Sequence, residues 1–148
     1  MVTPNTIRQT RIGALATYVP PKTLDNHQLS QMVDTSDEWI LQRTGFKTRH
    51  IVEPGVAASD LGKEAALKTL AQAGLTPDDI DVIVVGTTTP DMFFPNTASL
   101  IQTKIGATKC WGFDVAAACS GFTYSVGIAS DLVAAGRCNR ALVVGTDV

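Results

Sequence analysis

The chain is poor in metal ligands. Its 148 residues include two histidines, His27 and His50, and three cysteines, Cys110, Cys119 and Cys138. The cysteines lie 9 and 19 residues apart, so neither Cys-x-x-Cys spacing nor a histidine pair is present to build a zinc or dithiol site. No metal and no resident cofactor are expected, and an odd set of free thiols fits a reducing compartment. Basic runs interleaved with aromatics are also missing and the net charge is −2, which argues against electrostatic nucleic-acid binding. The longest apolar stretches, such as Val82–Val85 and Ala141–Val144, are far too short to span a bilayer. No apolar segment behind a basic start marks a signal peptide, and repeats, low-complexity tracts and long linkers are lacking as well. The expectation is a cytoplasmic protein with neither membrane nor nucleic acid as partner.

What is present is enough apolar material for a core: 45% of residues are apolar and 18% charged, over about one domain's length. A first strand is predicted over Thr6–Thr17, closed by Tyr18-Val19-Pro20-Pro21. A short helix follows Asp25 or Asn26 and runs to about Met32. A second starts at Thr35 or Ser36, with Thr35 and Glu38 in capping-box spacing, and stops at Gly45. Ser59–Ala73 reads as a helix, Thr76-Pro77-Asp78-Asp79 as one further turn, and Ile80–Gly86 as a continuous apolar strand. Asn96 caps a helix to Ile105, Cys110–Val115 is the next strand, Cys119–Ala135 a long helix and Arg140–Gly145 a final strand. Uninterruptedly apolar strands alternating with helices predict an α/β fold with a mostly parallel sheet covered on both faces. The Cys119–Ala135 helix carries one apolar stripe of Phe122, Val126, Ala129 and Val133 and a second of Tyr124, Ile128 and Leu132. Such a helix is expected to be buried, with its first turn deep in the protein. The chain stops at Val148, directly after a buried-type strand, and is therefore expected to be a piece of a longer polypeptide.

The sharpest chemical signal is Asp114-Val115-Ala116-Ala117-Ala118-Cys119-Ser120-Gly121-Phe122. A strand ends, small residues turn the chain, and Cys119 opens a helix. A helix amino terminus favours a thiolate through its dipole and free amides, and those amides can receive the oxyanion of an attached acyl group. The plainer local reading is a small buried residue that packs helix against sheet. Cys110 and Cys138 read as packing residues.

The segment Phe113–Tyr124 resembles the active-site signature of the 3-oxoacyl-(acyl-carrier-protein) synthase III family. Met32-Val33-Asp34-Thr35-Ser36-Asp37-Glu38-Trp39-Ile40, continuing through Arg43-Thr44-Gly45 to Arg49-His50, resembles a second hallmark of that family. Ala141–Asp147 is similar to its next strand. The resemblance runs from about Ile12 to the end. It implies the amino-terminal half of a thiolase-like fold (β-α-β-α-β-α-β), truncated after its fourth strand, with the carboxyl-terminal half absent from residues 1–148. It implies a condensing enzyme of fatty-acid synthesis in which Cys119 takes an acyl group from acyl-CoA, normally acetyl-CoA. Malonyl-acyl-carrier protein then loses carbon dioxide, and the carbanion attacks the acyl-enzyme. It further implies CoA contacts by Thr35, Trp39 and Arg43, a place for Phe94 at the acyl pocket or dimer interface, and a homodimer. The family's catalytic His and Asn belong to the second half; His27 matches no motif of theirs, and His50 reads as a packing residue. The alternatives are a quinolone- or polyketide-type priming synthase and a non-catalytic binding protein with this fold.

Overall fold

The computed structural model describes residues 8–148. They form two compact units, one of residues 8–18 with Ala57–Val148 and the other Val19–Val56.

The larger unit is built on β3 (Val82–Gly86), whose five residues are all buried. It pairs in parallel with β4 (Trp111–Val115) on one side and β5 (Ala141–Gly145) on the other, giving the order β4-β3-β5. Val84 is in register with both Phe113 and Val143. Because successive strand side chains point to opposite faces, a run of apolar residues feeds two cores. Ile83 and Val85 pack with α3 (Ala58–Ala73) and α4 (Thr97–Ile105) through Ala66, Leu70, Ala98, Ile101 and Ile105. Val82 and Val84 pack on the other face against Ala129 and Leu132 of α5 (Gly121–Ala134). Each fully buried Val or Ile of this strand contributes roughly 1.5–3 kcal/mol. The predicted parallel sheet with helices on both faces is therefore observed, and α3 and α4 end where the glycines indicated, at Gly74 and Gly106.

The first strand is not. Residues 8–17 contain no strand; Thr6 and Ile7 lie outside the described residues. A strand exists only if a sheet edge accepts its ladder. This segment lies instead against α5, with the Arg8 N–H donating to the Ala134 carbonyl at 3.3 Å and Thr10 Oγ1 2.8 Å from Ser130 Oγ. Ile12 and Leu15 remain exposed. Among the described residues the sheet of this unit thus has three strands where four were expected.

The unit Val19–Val56 pairs β1 (Thr23–Asp25) with β2 (Thr48–His50) antiparallel and adds α1 (Asn26–Ser30) and α2 (Asp37–Thr44). Its centre is polar. The buried Asn26 side chain donates to Asp37 Oδ1 at 2.7 Å and to the Phe46 carbonyl at 2.9 Å, and accepts from the Arg49 guanidinium. Every bond an amide side chain needs when buried is thereby supplied. One residue ties α1, α2 and β2 together.

One contact sets where α5 begins. A Cβ on Gly86 would lie 2.6 Å from the Gly121 carbonyl carbon and 2.8 Å from the Phe122 nitrogen, so only glycine lets the helix start directly on the end of β3. Gly86→Ala is expected to cost about 1–3 kcal/mol, as overpacking against backbone does, and a lowered thermal midpoint measures it; an unchanged midpoint would show that the helix can move away freely.

Several carboxylates are held below their ordinary range. Asp60 is lowered by its bond from Lys104 and the Ala57 amide, Asp78 by the Thr108 amide and hydroxyl, and Asp79 by the Thr76 amide and hydroxyl. A depressed folded-state pKa adds stability that is present above the unfolded value and disappears as pH falls through the folded one. Asp60→Asn should therefore be less stable than the parent near neutrality, with the gap closing as pH falls through and below the ordinary carboxylate range. Denaturant midpoints of both proteins across that window test the sign.

Candidate active site

The strand-to-helix turn after β4 carries Cys119. Val115 ends the strand, Ala116 and Ala117 turn the chain, and Ala118–Ser120 form a single 3-10 turn before α5 starts at Gly121. Ala118 has φ 45°, a left-handed conformation that a residue with a Cβ adopts only at a cost of about 1–2 kcal/mol. Such strain persists where the surroundings over-determine it, and it gathers at functional turns. Cys119 sits at the apex and is exposed.

Two expectations are corrected here. Cys119 does not open the α-helix; it lies two residues before it, in the tighter turn, beside the helix amino terminus rather than within its first α-helical turn. Nor is that turn deep in the protein. Gly121, Ser125 and Ala129 face the sheet and are buried, whereas Phe122, Tyr124 and Ile128 are exposed. A helix apolar all round has two faces to cover, and in these 148 residues the sheet covers one.

The neighbouring carboxyl ends of the strands are pinned by polar contacts. The Thr87 N–H donates to the Val115 carbonyl at 3.3 Å and the Thr146 N–H to that of Gly86 at 3.1 Å. Asp147 Oδ1 accepts from the Thr88 and Thr89 amides at 2.7 and 3.1 Å and lies 3.1–3.2 Å from the hydroxyls of Thr87, Thr88 and Thr89. Burial pushes the Asp147 carboxyl up, but these donors together outweigh it and hold it below its ordinary value. Asp114, although inside β4, turns its carboxylate to the amides of Thr97 and Ala98 at 2.7 and 2.9 Å and so caps α4 beside Asn96, which accepts from the Ser99 amide.

The loop between β3 and α4 presents Phe93 and Phe94, which are 103% and 89% exposed. Its base is fixed by Asp91, which accepts from the Ser59 amide at 2.8 Å and the Ser59 hydroxyl at 2.5 Å. Lys104 joins the group, donating to Ser59 Oγ at 2.6 Å and to Asp60 at 2.5 Å.

In the unit Val19–Val56, Ser36, not Thr35, caps α2: its hydroxyl accepts from the Trp39 amide at 3.2 Å. The capping box expected between Thr35 and Glu38 is replaced by this bond because the helix begins one residue later, at Asp37. Asp34, Thr35, Ser36 and Trp39 line an open depression of about 320 Å³. Trp39 is 54% exposed, and the Arg43 guanidinium, one helical turn on, lies over its ring at 5.5 Å from the centroid. Thr35, Trp39 and Arg43 thus come together as a stacking face, a hydroxyl and a cation.

Cys138 is buried and Cys110 half-buried; burial pushes both thiols above their ordinary range, as packing residues require. His50 is exposed rather than packed, with Nδ1 2.6 Å from the Pro20 carbonyl, to which it donates. Sequence reasoning missed Asn26, Gly86, Asp91 and Asp147. Gly86 and Asp147 left a signal, one a glycine closing an apolar strand and the other an acid just past the end of one.

The family model of 3-Oxoacyl-[acyl-carrier-protein (ACP)] synthase III matches residues 113–148, the stretch from β4 through the Cys119 turn and α5 to the end of the chain. The beta-ketoacyl-(acyl-carrier-protein) synthase III of Koribacter versatilis is 51% identical over 142 residues, covering 96% of this chain and 43% of that protein. The 3-oxoacyl-(acyl-carrier-protein) synthase III of Aquifex aeolicus VF5 superimposes with a TM-score of 0.88 at 40% identity, over 92% of this chain and 44% of that one. The priming beta-ketosynthase of the R1128 polyketide pathway superimposes at 0.91 with 34% identity, over 98% and 43%. The chain spans less than half the length of these relatives. Its fold is the amino-terminal half of the thiolase-like architecture, and the chain belongs, as an amino-terminal portion, to the 3-oxoacyl-(acyl-carrier-protein) synthase III family.

Proposed function

We propose that the protein to which these residues belong is a condensing enzyme that starts fatty-acid synthesis, with Cys119 as its nucleophile. The observation that carries this reading is an exposed cysteine at a strained strand-to-helix turn, inside the stretch matched by the family model. In this reading the Cys119 sulfur attacks the thioester carbon of acyl-CoA and expels the CoA thiol, so one thioester replaces another. Malonyl-acyl-carrier protein then loses carbon dioxide; its carbanion attacks the acyl carbon, releases the cysteine sulfur and leaves a 3-oxoacyl-carrier protein. The His and Asn that assist decarboxylation are assigned to the carboxyl-terminal half. Trp39 offers its exposed face to the adenine of CoA and Arg43 its guanidinium to the phosphates, supported by Arg43 lying over the Trp39 ring and by the depression that Trp39 lines with Thr35.

Phe94 is assigned to an acyl pocket or dimer interface, supported by two exposed consecutive aromatics on an anchored loop. A homodimer completes the reading, and a cytoplasmic setting for it is supported by three cysteines that are all free. No helix among the described residues is long and apolar enough to cross a membrane. The superposition on the R1128 priming ketosynthase favours a second reading, in which the same cysteine accepts a different acyl starter.

Cys119→Ala in the full-length protein should abolish covalent labelling by radioactive acetyl-CoA, while Cys110→Ala and Cys138→Ala leave it intact; label on the first variant would refute the nucleophile. Mass spectrometry after incubation with a panel of acyl-CoAs separates the two starters. Trp39→Ala should weaken CoA binding about tenfold or more, the loss expected for one aromatic stacking contact, with little change in the acylation rate at saturation. Unchanged affinity in a calorimetric titration would remove Trp39 from the CoA site.

A further inference from the structure

A strained residue needs neighbours that leave the chain no relaxed alternative, and the left-handed Ala118 stands one residue before the proposed nucleophile. Gly86 and Gly121 fix the helix side of this turn by close contact. The strand side is fixed elsewhere. The Thr87 amide donates to the carbonyl of Val115, the last residue of β4 and four residues before Cys119. Thr87 is itself buried, and its hydroxyl donates to Asp147 at 3.2 Å. Asp147 also takes the amides and hydroxyls of Thr88 and Thr89, while the Val148 amide donates back to Thr89 Oγ1 at 2.9 Å. A carboxylate following β5 therefore ties the ends of β3 and β5 together, and through Thr87 reaches the end of β4, where the turn begins.

We propose that Asp147 is a positioning residue for Cys119, holding Thr87 so that the end of β4 presents the strained turn, and the sulfur on it, to the acyl donor. The proposal rests on the nucleophile reading above. It differs from a general stabilising role because an equivalent clamp exists at the other end of the sheet. Asp78, in the turn before β3, accepts the Thr108 amide and hydroxyl at 2.9 Å each, and no strand end leading to Cys119 is among these partners.

The test is single-turnover acylation of the full-length protein by acetyl-CoA, followed by mass spectrometry across substrate concentrations. Asp147→Ala should lower the maximal acylation rate by about 10–100-fold, the size expected for misplacing a reacting group by a fraction of an ångström to about one, with the half-saturating concentration unchanged. Asp78→Ala should lower the thermal midpoint but keep the acylation rate. If Asp147→Ala does not fold, Thr87→Val, which removes the hydroxyl's bond to Asp147 together with the one it accepts from the Thr89 amide, should lower the rate several-fold at unchanged half-saturation. An acylation rate within twofold of the parent in whichever variant is folded, or an equal loss in Asp78→Ala, overturns the positioning role. Cys119→Ala run in parallel separates the two ideas: label surviving there sinks the nucleophile itself, whereas its loss with a normal Asp147 variant sinks only this inference.

Discussion

The larger unit depends on the contact between Gly86 and Gly121, backbone on backbone with no side chain between. It decides how close α5 comes to the end of β3, and with that where the preceding turn must sit. With the helix start and the end of β4 both fixed, the five residues between them have to cross a short gap, and Ala118 accepts a left-handed conformation to do so. Gly145 extends the same seating, since a Cβ there would meet the Phe122 ring at 3.1 Å. Close glycine packing and backbone strain are two views of one constraint: the sheet is allowed nearer the helix than ordinary side chains permit, and the turn absorbs the difference.

Around that contact, carboxylates do the local fixing. Asp114 caps α4 from inside a strand, Asp91 ties the aromatic loop to the start of α3, and Asp147 gathers the threonines after β3. Each accepts backbone amides that loops and helix starts would otherwise leave unpaired. Loops after parallel strands have little apolar surface with which to hold their shape, so short polar pins are the available means. Those loops lie at the carboxyl ends of the strands, where an open α/β sheet puts its binding groups.

The main elements were legible because they follow local rules. The run Val82–Val85, the glycines after Ala73 and Ile105, and Asn96 before α4 each act within a few residues, and the structure puts strand, stops and cap there. Cys119 was legible as a candidate from the small residues before it. What was missed or misjudged depends on partners distant in sequence. Residues 8–17 read as part of a strand but meet α5 rather than a sheet edge. Asn26 reads as an ordinary helix-start residue, yet its bonds run to positions 11, 20 and 23 residues away. β1 and β2, three residues each, are too short for any periodicity to register. Asp147 reaches back 58 to 60 residues, a distance no motif spans.

The exposure of α5 bears directly on the proposed chemistry. A carbanion formed by decarboxylation must meet the acyl carbon before it meets a proton from water, so the condensation step requires a site from which water is excluded. Acylation makes no such demand, because a thiolate can exchange thioesters in the open. Cys119 is exposed on the turn that leads into α5, and Phe122, Tyr124 and Ile128 of that helix are open to solvent among the described residues. Covering that turn and those side chains would do two things at once: remove the cost of exposing apolar surface, and dry the sulfur. In the proposed enzyme, then, the same burial that stabilises the second face of α5 converts a cysteine able to take up an acyl group into one able to pass it on to carbon.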